Sequence, residues 1–121
     1  MPRYLTLVKL DESLPWGPPP PELFDAIGKQ IAEETAAGTL VDAQGLAPTA
    51  SGALATLVDG RITIIDGPFA EAKEVIGGWS IFQLRSKEEA VEKAREFLQL
   101  HADLWPGCAV TVEIRELVDQ P

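Results

Sequence analysis

Residues 4–10 alternate along the chain. Tyr4, Thr6, Val8 and Leu10 fall on one face, and Leu5, Leu7 and Lys9 on the other. Both faces are largely apolar, so the pattern predicts a strand covered on both sides. The run Leu14-Pro15-Trp16-Gly17-Pro18-Pro19-Pro20-Pro21 follows. Four consecutive prolines favour polyproline II and predict a stiff loop leading into a helix. The spacing then changes to a helical one over residues 22–37. Phe24, Ile27 and Ile31 form the apolar stripe, with Leu23 and Ala32 beside it. Pro21 suits the first turn, Glu22 complements the helix dipole, and Gly38 supplies the stop.

Residues 40–46 read as a weaker extended segment. Residues 53–58 and 61–66 flank Asp59-Gly60, a strong hairpin signal. Residues 78–85 predict a strand with Ser80, Phe82 and Leu84 on one face and Trp79, Ile81 and Gln83 on the other. Ser86 and Glu89 form a capping box that opens a second helix over 86–101. Ala90, Val91, Ala94, Phe97 and Leu98 are its inward positions. Residues 109–117 predict a last strand, with Val110, Val112 and Ile114 opposed to Thr111, Glu113 and Arg115. Two helices and a mostly antiparallel sheet make an α+β two-layer domain spanning 1–121, with residues 14–21 as an insert. Two helices cover one face of a sheet. The first strand is apolar on both faces, so a second copy of the sheet is expected on the other: a homodimer.

Charge narrows the partners. The net charge of −9 opposes nucleic acid and anionic membrane surfaces, since both need a basic face. No apolar run approaches the ~20 residues of a spanning helix. The start, Met1-Pro2-Arg3-Tyr4-Leu5, lacks the features of a signal peptide. A single cysteine excludes an internal disulfide framework, and the cytoplasm is the expected location. No spacing of His, Cys, Asp or Glu matches a metal site, and no glycine pattern matches a nucleotide loop. Neither a metal nor a cofactor is expected.

The longest feature between strand patterns is Asp66-Gly67-Pro68-Phe69-Ala70-Glu71-Ala72-Lys73-Glu74-Val75-Ile76-Gly77-Gly78-Trp79. This stretch resembles the DGPF-domain branch of the YCII-related proteins, whose pattern runs close to DGPFAETKE, then LGG and an aromatic. The chain departs at Ala72, where the branch has threonine. Ala37-Gly38-Thr39-Leu40, Gly45-Leu46 and Val112-Glu113-Ile114-Arg115 agree as well. The resemblance implies a ferredoxin-like fold whose subunits pair sheet to sheet into a dimeric α+β barrel. Some relatives carry a histidine on the first helix, paired with an aspartate. That helix has no histidine here, so the dyad does not carry over. The resemblance also implies a genomic link to extracytoplasmic-function sigma factors.

Several side chains are candidates for chemistry. Asp66 ends a strand before Gly67-Pro68, and it either fixes the turn through backbone N–H groups or serves as a general base at a cleft rim. Phe69 is expected to plug the core. Glu71, Lys73 and Glu74 form either a solvated ion-pair cluster or a polar binding patch. Trp79, Gln83, Glu113 and Arg115 are expected on the face away from the helices, either as an interface salt bridge or as a small-molecule pocket between subunits. His101 is expected at a helix end and Cys108 as a small core residue. The functions in view are binding of a small polar molecule at the dimer interface, a cofactor-free enzyme of proton transfer or elimination using Asp66 or Lys73, and a regulatory partner of a sigma factor.

Overall fold

The computed structural model describes residues 1–119. The last two residues of the expected domain span lie outside the described residues. The elements run β1 (Arg3–Leu10), α1 (Pro21–Ala36), β2 (Leu40–Gly45), a short 3-10 turn (Thr49–Ser51), β3 (Ala53–Val58), β4 (Arg61–Asp66), β5 (Val75–Gln83), α2 (Lys87–Leu104) and β6 (Val110–Glu116). Four strands form one antiparallel sheet in the order β2-β5-β1-β6. Each helix connects a pair of those strands, which is the ferredoxin-like α+β arrangement. β3 and β4 form a separate two-stranded hairpin. Among the described residues no helix is long and apolar enough to cross a membrane.

The sheet register fixes its two faces. Tyr4 pairs with Phe82 and Glu116, Thr6 with Ser80 and Ile114, and Val8 with Gly78 and Val112. These positions lie under the helices, where Tyr4, Thr6 and Phe82 are buried. Leu7 pairs with Trp79 and Glu113, and Leu5 with Ile81 and Arg115. By alternation these side chains lie on the opposite face, which no helix covers. The core gathers at one end of the helix side, from Tyr4, Leu40, Phe82, Leu84 and Ala90, with Ala43 and Ile114 against it.

Local chemistry explains most boundaries. Ser86 accepts a hydrogen bond from the Glu89 amide at 3.3 Å, and Glu89 reaches back to accept from the Arg85 amide at 3.1 Å. Asp59 and Gly60 have φ of 51° and 75°, the paired left-handed residues of a type I′ hairpin. Gly38, at φ 79°, ends α1. Pro20 is extended at φ −68° and ψ 149°, so the proline run meets the helix in polyproline II geometry.

Four expectations need correction. β5 begins at Val75, not at Gly78, because residues 75–76 continue the pairing with Leu10 and Lys9 across a bulge at Gly77. Trp79 is therefore in mid-strand. α2 runs one turn past His101, to Leu104. On α1 the buried side chains are Leu23 and Glu34, whereas Phe24 is 60% exposed and Ile31 40%. The stripe Phe24, Ile27 and Ile31 faces the gap between the helices and the sheet, and its ends lie open because that gap is not filled. Phe69 is only half-buried, beside Gly52 at the hairpin base, and is not part of the core.

The hairpin is clamped at its base. The Gly67 amide donates to the Gly52 carbonyl at 2.8 Å. The Phe69 amide donates to Thr49 Oγ1 at 3.0 Å, while the Thr49 amide and hydroxyl both donate to the Glu12 carboxylate. A Cβ on Gly67 would stand 1.6 Å from the Thr49 carbonyl oxygen, so only glycine fits. Gly67→Ala is expected to loosen the hairpin base and accelerate hydrogen exchange of the residue 67 and Phe69 amides. Melting should fall by a few degrees at most, because the damage can be confined to local opening. Unchanged exchange at these amides would mean that the clamp is not formed.

Candidate functional site

The sequence pointed to the open sheet face and the loop beside it. The face holds an ion-paired triad. Lys9 Nζ lies 2.7 Å from Glu113 Oε1, and Arg115 lies 3.2 Å from Glu113 Oε2. The hydrogen bond from Lys9, then that from Arg115, holds the Glu113 carboxyl below its ordinary value, and Glu113 in turn raises the Lys9 ammonium. Trp79 sits two strands from Glu113 with Leu7 between them, and Gln83 pairs with Arg3 farther along β5. Lys9 is the member that sequence reasoning left out of the site. Its signal was a charge on an otherwise apolar strand face.

The loop groups stand in solvent. Asp66, Glu71, Lys73 and Glu74 are all exposed. Among the described residues Lys73 makes no ion pair, and the Asp66 side chain makes no hydrogen bond that would fix the turn. Only Glu74 approaches the triad, closely enough to help raise the Lys9 pKa. The folded pKa of Glu113 is depressed, so its contribution to stability is present above about pH 4.5 and is lost as pH falls through the folded value. Lys9→Met is expected to flatten this acid-side loss in a series of melting curves from pH 6 to pH 3. An unchanged slope would show that the pair contributes nothing.

The second site lies under the helices and was not read from the sequence. Between α1, α2 and the sheet is a cavity of about 420 Å³. It exists because the sheet positions facing the helices there are small: Thr6, Ser80, Gly78 and Ala43, opposite Ala94 of α2. Such side chains cannot fill the gap between two layers of backbone. Ile27, Phe97 and Val112 give the cavity apolar walls, and the exposed Phe24 and Ile31 stand at its mouth. Polar groups are few. The Thr6 and Ser80 hydroxyls bond to each other across β1 and β5. Gln30, Glu34, Gln44 and Lys93 also line it.

Glu34 is the unusual member, with only 8% of its surface exposed. Its carboxylate accepts no hydrogen bond among the described residues, and Lys93 is within ion-pair distance of Glu96 instead, at 3.9 Å. Burial pushes the Glu34 carboxyl above its ordinary value; Lys93 opposes this, and Glu96 and Glu33 reinforce it. A half-turn signal did exist in the sequence, a glutamate at helical spacing from Ile27 and Ile31. The sequence reading did not single it out, because a glutamate on a helix is ordinarily solvated.

A third cluster is structural. Trp16 of the proline-rich insert packs edge-on against Trp105, with ring centroids 5.8 Å apart. His101 is buried beside Phe97 and Trp105, and its Nδ1 donates to the Phe97 carbonyl at 2.9 Å. It is a packed residue of the last helical turn. Cys108 is half-buried, and burial raises its thiol pKa. Among the described residues no three His, Cys, Asp or Glu side chains are grouped to hold a metal ion.

The family model for the YCII-related domain matches residues 23–116. The chain belongs to the YCII-related family. The matched span of this YCII-related chain runs from Leu23 of α1 to Glu116 of β6 and so includes Glu34, the hairpin and Glu113. No curated protein matches the chain.

Proposed function

We propose that this YCII-related domain, of the DGPF branch, binds a small amphipathic molecule in the cavity between its helices and its sheet, with Glu34 as the polar anchor. One observation carries the reading. Glu34, a residue only 8% exposed, lines a cavity whose walls are otherwise mostly apolar, and its carboxylate has no protein hydrogen-bond partner among the described residues. Partial desolvation of the carboxylate costs free energy, which a ligand donor would offset. The volume suits a small metabolite rather than a large cofactor. A ligand with an apolar body and a protonated amine or similar donor matches this lining. The raised Glu34 pKa also suits proton uptake from a bound molecule, which favours a proton-transfer enzyme as the second reading.

The open face supports a homodimer. Leu5, Leu7, Trp79 and Ile81 lie there with no covering layer, and a second copy of the sheet would cover them. The charged groups on that face are engaged with one another, so a ligand anchored by Glu113 and Arg115 fits less well than one anchored by Glu34. The association with a sigma factor rests on the resemblance alone.

The test is a thermal-shift comparison of aliphatic and aryl amines with carboxylates and alcohols of matched size. Amines are expected to raise the melting temperature, by the equivalent of about 2.7 kcal/mol at a hundred times Kd. Equal shifts from amines and carboxylates, or none, would overturn the anchor role of Glu34.

A further inference from the structure

The β3–β4 hairpin is apolar on both faces. Leu54, Ile65 and Val58 occupy one face, and Leu57, Ile62 and Ile64 the other, by the pairing of Leu54 with Ile65 and of Leu57 with Ile62. These six side chains are between 45% and 73% exposed. Together they offer on the order of 600 Å² of apolar surface, as much as the largest patch of an ordinary monomer. A lone two-stranded hairpin is marginally stable in water. This one nevertheless keeps six cross-strand pairs while packing little against the other strands and helices. Its base is held by Gly52, Thr49 and Glu12, so it projects as an oriented arm.

We infer that the arm is an interface element, covered in solution by a second copy of this chain. The inference rests on the two-fold assembly proposed above and adds a second contact to it. Three observations favour a copy over another occupant. Beside the arm's base, the same chain carries an apolar groove of about 600 Å³, lined by Leu46, Leu54, Phe69, Val75 and Ile76. An arm and a groove on one molecule make the self-complementary surface that a two-fold pair needs. Two arms and the surfaces under them would remove on the order of 2,000 Å² from water, the size of a stable dimer interface. Finally, the arm carries only Asp59, Arg61 and Asp66 as charges, so two chains of net charge −9 can meet there with little repulsion.

The experiment compares the full chain with the arm variant Leu57→Lys/Ile62→Lys and the sheet-face variant Leu7→Lys. Light scattering after size exclusion gives the mass and its concentration dependence, and hydrogen exchange reads the arm. Both arm residues are largely exposed, so circular dichroism of the arm variant should match the parent. The expected result is a dimeric parent whose arm amides exchange slowly and lose protection on dilution. The arm variant should dissociate at least tenfold more readily. A dimeric parent whose arm amides exchange freely, with dissociation unchanged in the arm variant, would overturn the arm. Splitting by Leu7→Lys in that case would leave the sheet-face reading standing. A parent that is monomeric at micromolar concentration would overturn both readings. A monomer that pellets with phosphatidylcholine vesicles through the arm would overturn them in favour of a lipid surface.

Discussion

Glu34→Gln is expected to weaken amine binding at least tenfold while raising the melting temperature. The two effects have one cause. In the free protein Glu34 is largely desolvated and its carboxylate has no protein hydrogen-bond partner among the described residues, so its charge opposes folding. Glutamine keeps the shape and removes the charge, which should stabilise the fold by on the order of 1 kcal/mol. In the complex the carboxylate would receive a charged donor, an interaction of roughly 1.5–3 kcal/mol that glutamine reproduces poorly, hence a factor of ten or more. The pH dependence follows with a definite sign. The folded pKa of Glu34 is raised, so its contribution to stability is fully present below about pH 4.5 and is lost as pH rises through the folded value. The Gln variant should lack that decline. Amine binding by the parent should weaken on acidification, as Glu34 takes up a proton. Thermal melts from pH 4 to pH 8, with and without the best amine of the panel, check all of this. A variant that is less stable than the parent, yet binds equally well, would remove Glu34 from the site.

Leu84→Ala should be the most damaging of the single substitutions considered. Leu84 is 2% exposed and follows directly on β5, among Tyr4, Leu40, Phe82 and Ala90. Its amide donates to the Pro2 carbonyl at 3.1 Å, which ties the chain start to the end of the central strand. Truncation removes buried apolar contacts and leaves a void that the sheet cannot close. The cost should be about 3 kcal/mol. For a chain of this size that lowers the melting temperature by about 10–20 °C. The same truncation at Leu57, 68% exposed on the arm, should cost the isolated subunit far less. Denaturant melts of both variants check the contrast. A loss at Leu84 below about 1 kcal/mol would place the core elsewhere.

The local elements were legible because their signals are local. Strand alternation over Tyr4 to Leu10, the Ser86–Glu89 cap and the Asp59-Gly60 turn each act within a few residues, and all three appear in the fold. The two faces of β1 were legible for the same reason, since a strand's period is fixed by its backbone. Family membership was legible from the run beginning at Asp66, and the matched span agrees with it.

Tertiary structure decided the rest. The weak pattern over residues 40–46 became an edge strand of the main sheet, while the strong hairpin pattern stayed outside it. Periodicity says which residues share a face, but not which strand finds which partner. The loop charges at Glu71 and Lys73 stayed apart because nearness along the chain does not bring side chains together in space, whereas Lys9 and Glu113 met because the sheet pairs β1 with β6. The cavity was invisible for the deepest reason. It arises from small residues on different elements, Thr6, Ser80, Gly78 and Ala94, none of them notable alone. An empty volume is a property of packed layers, and so is the burial of Glu34, a residue that the sequence reading did not single out.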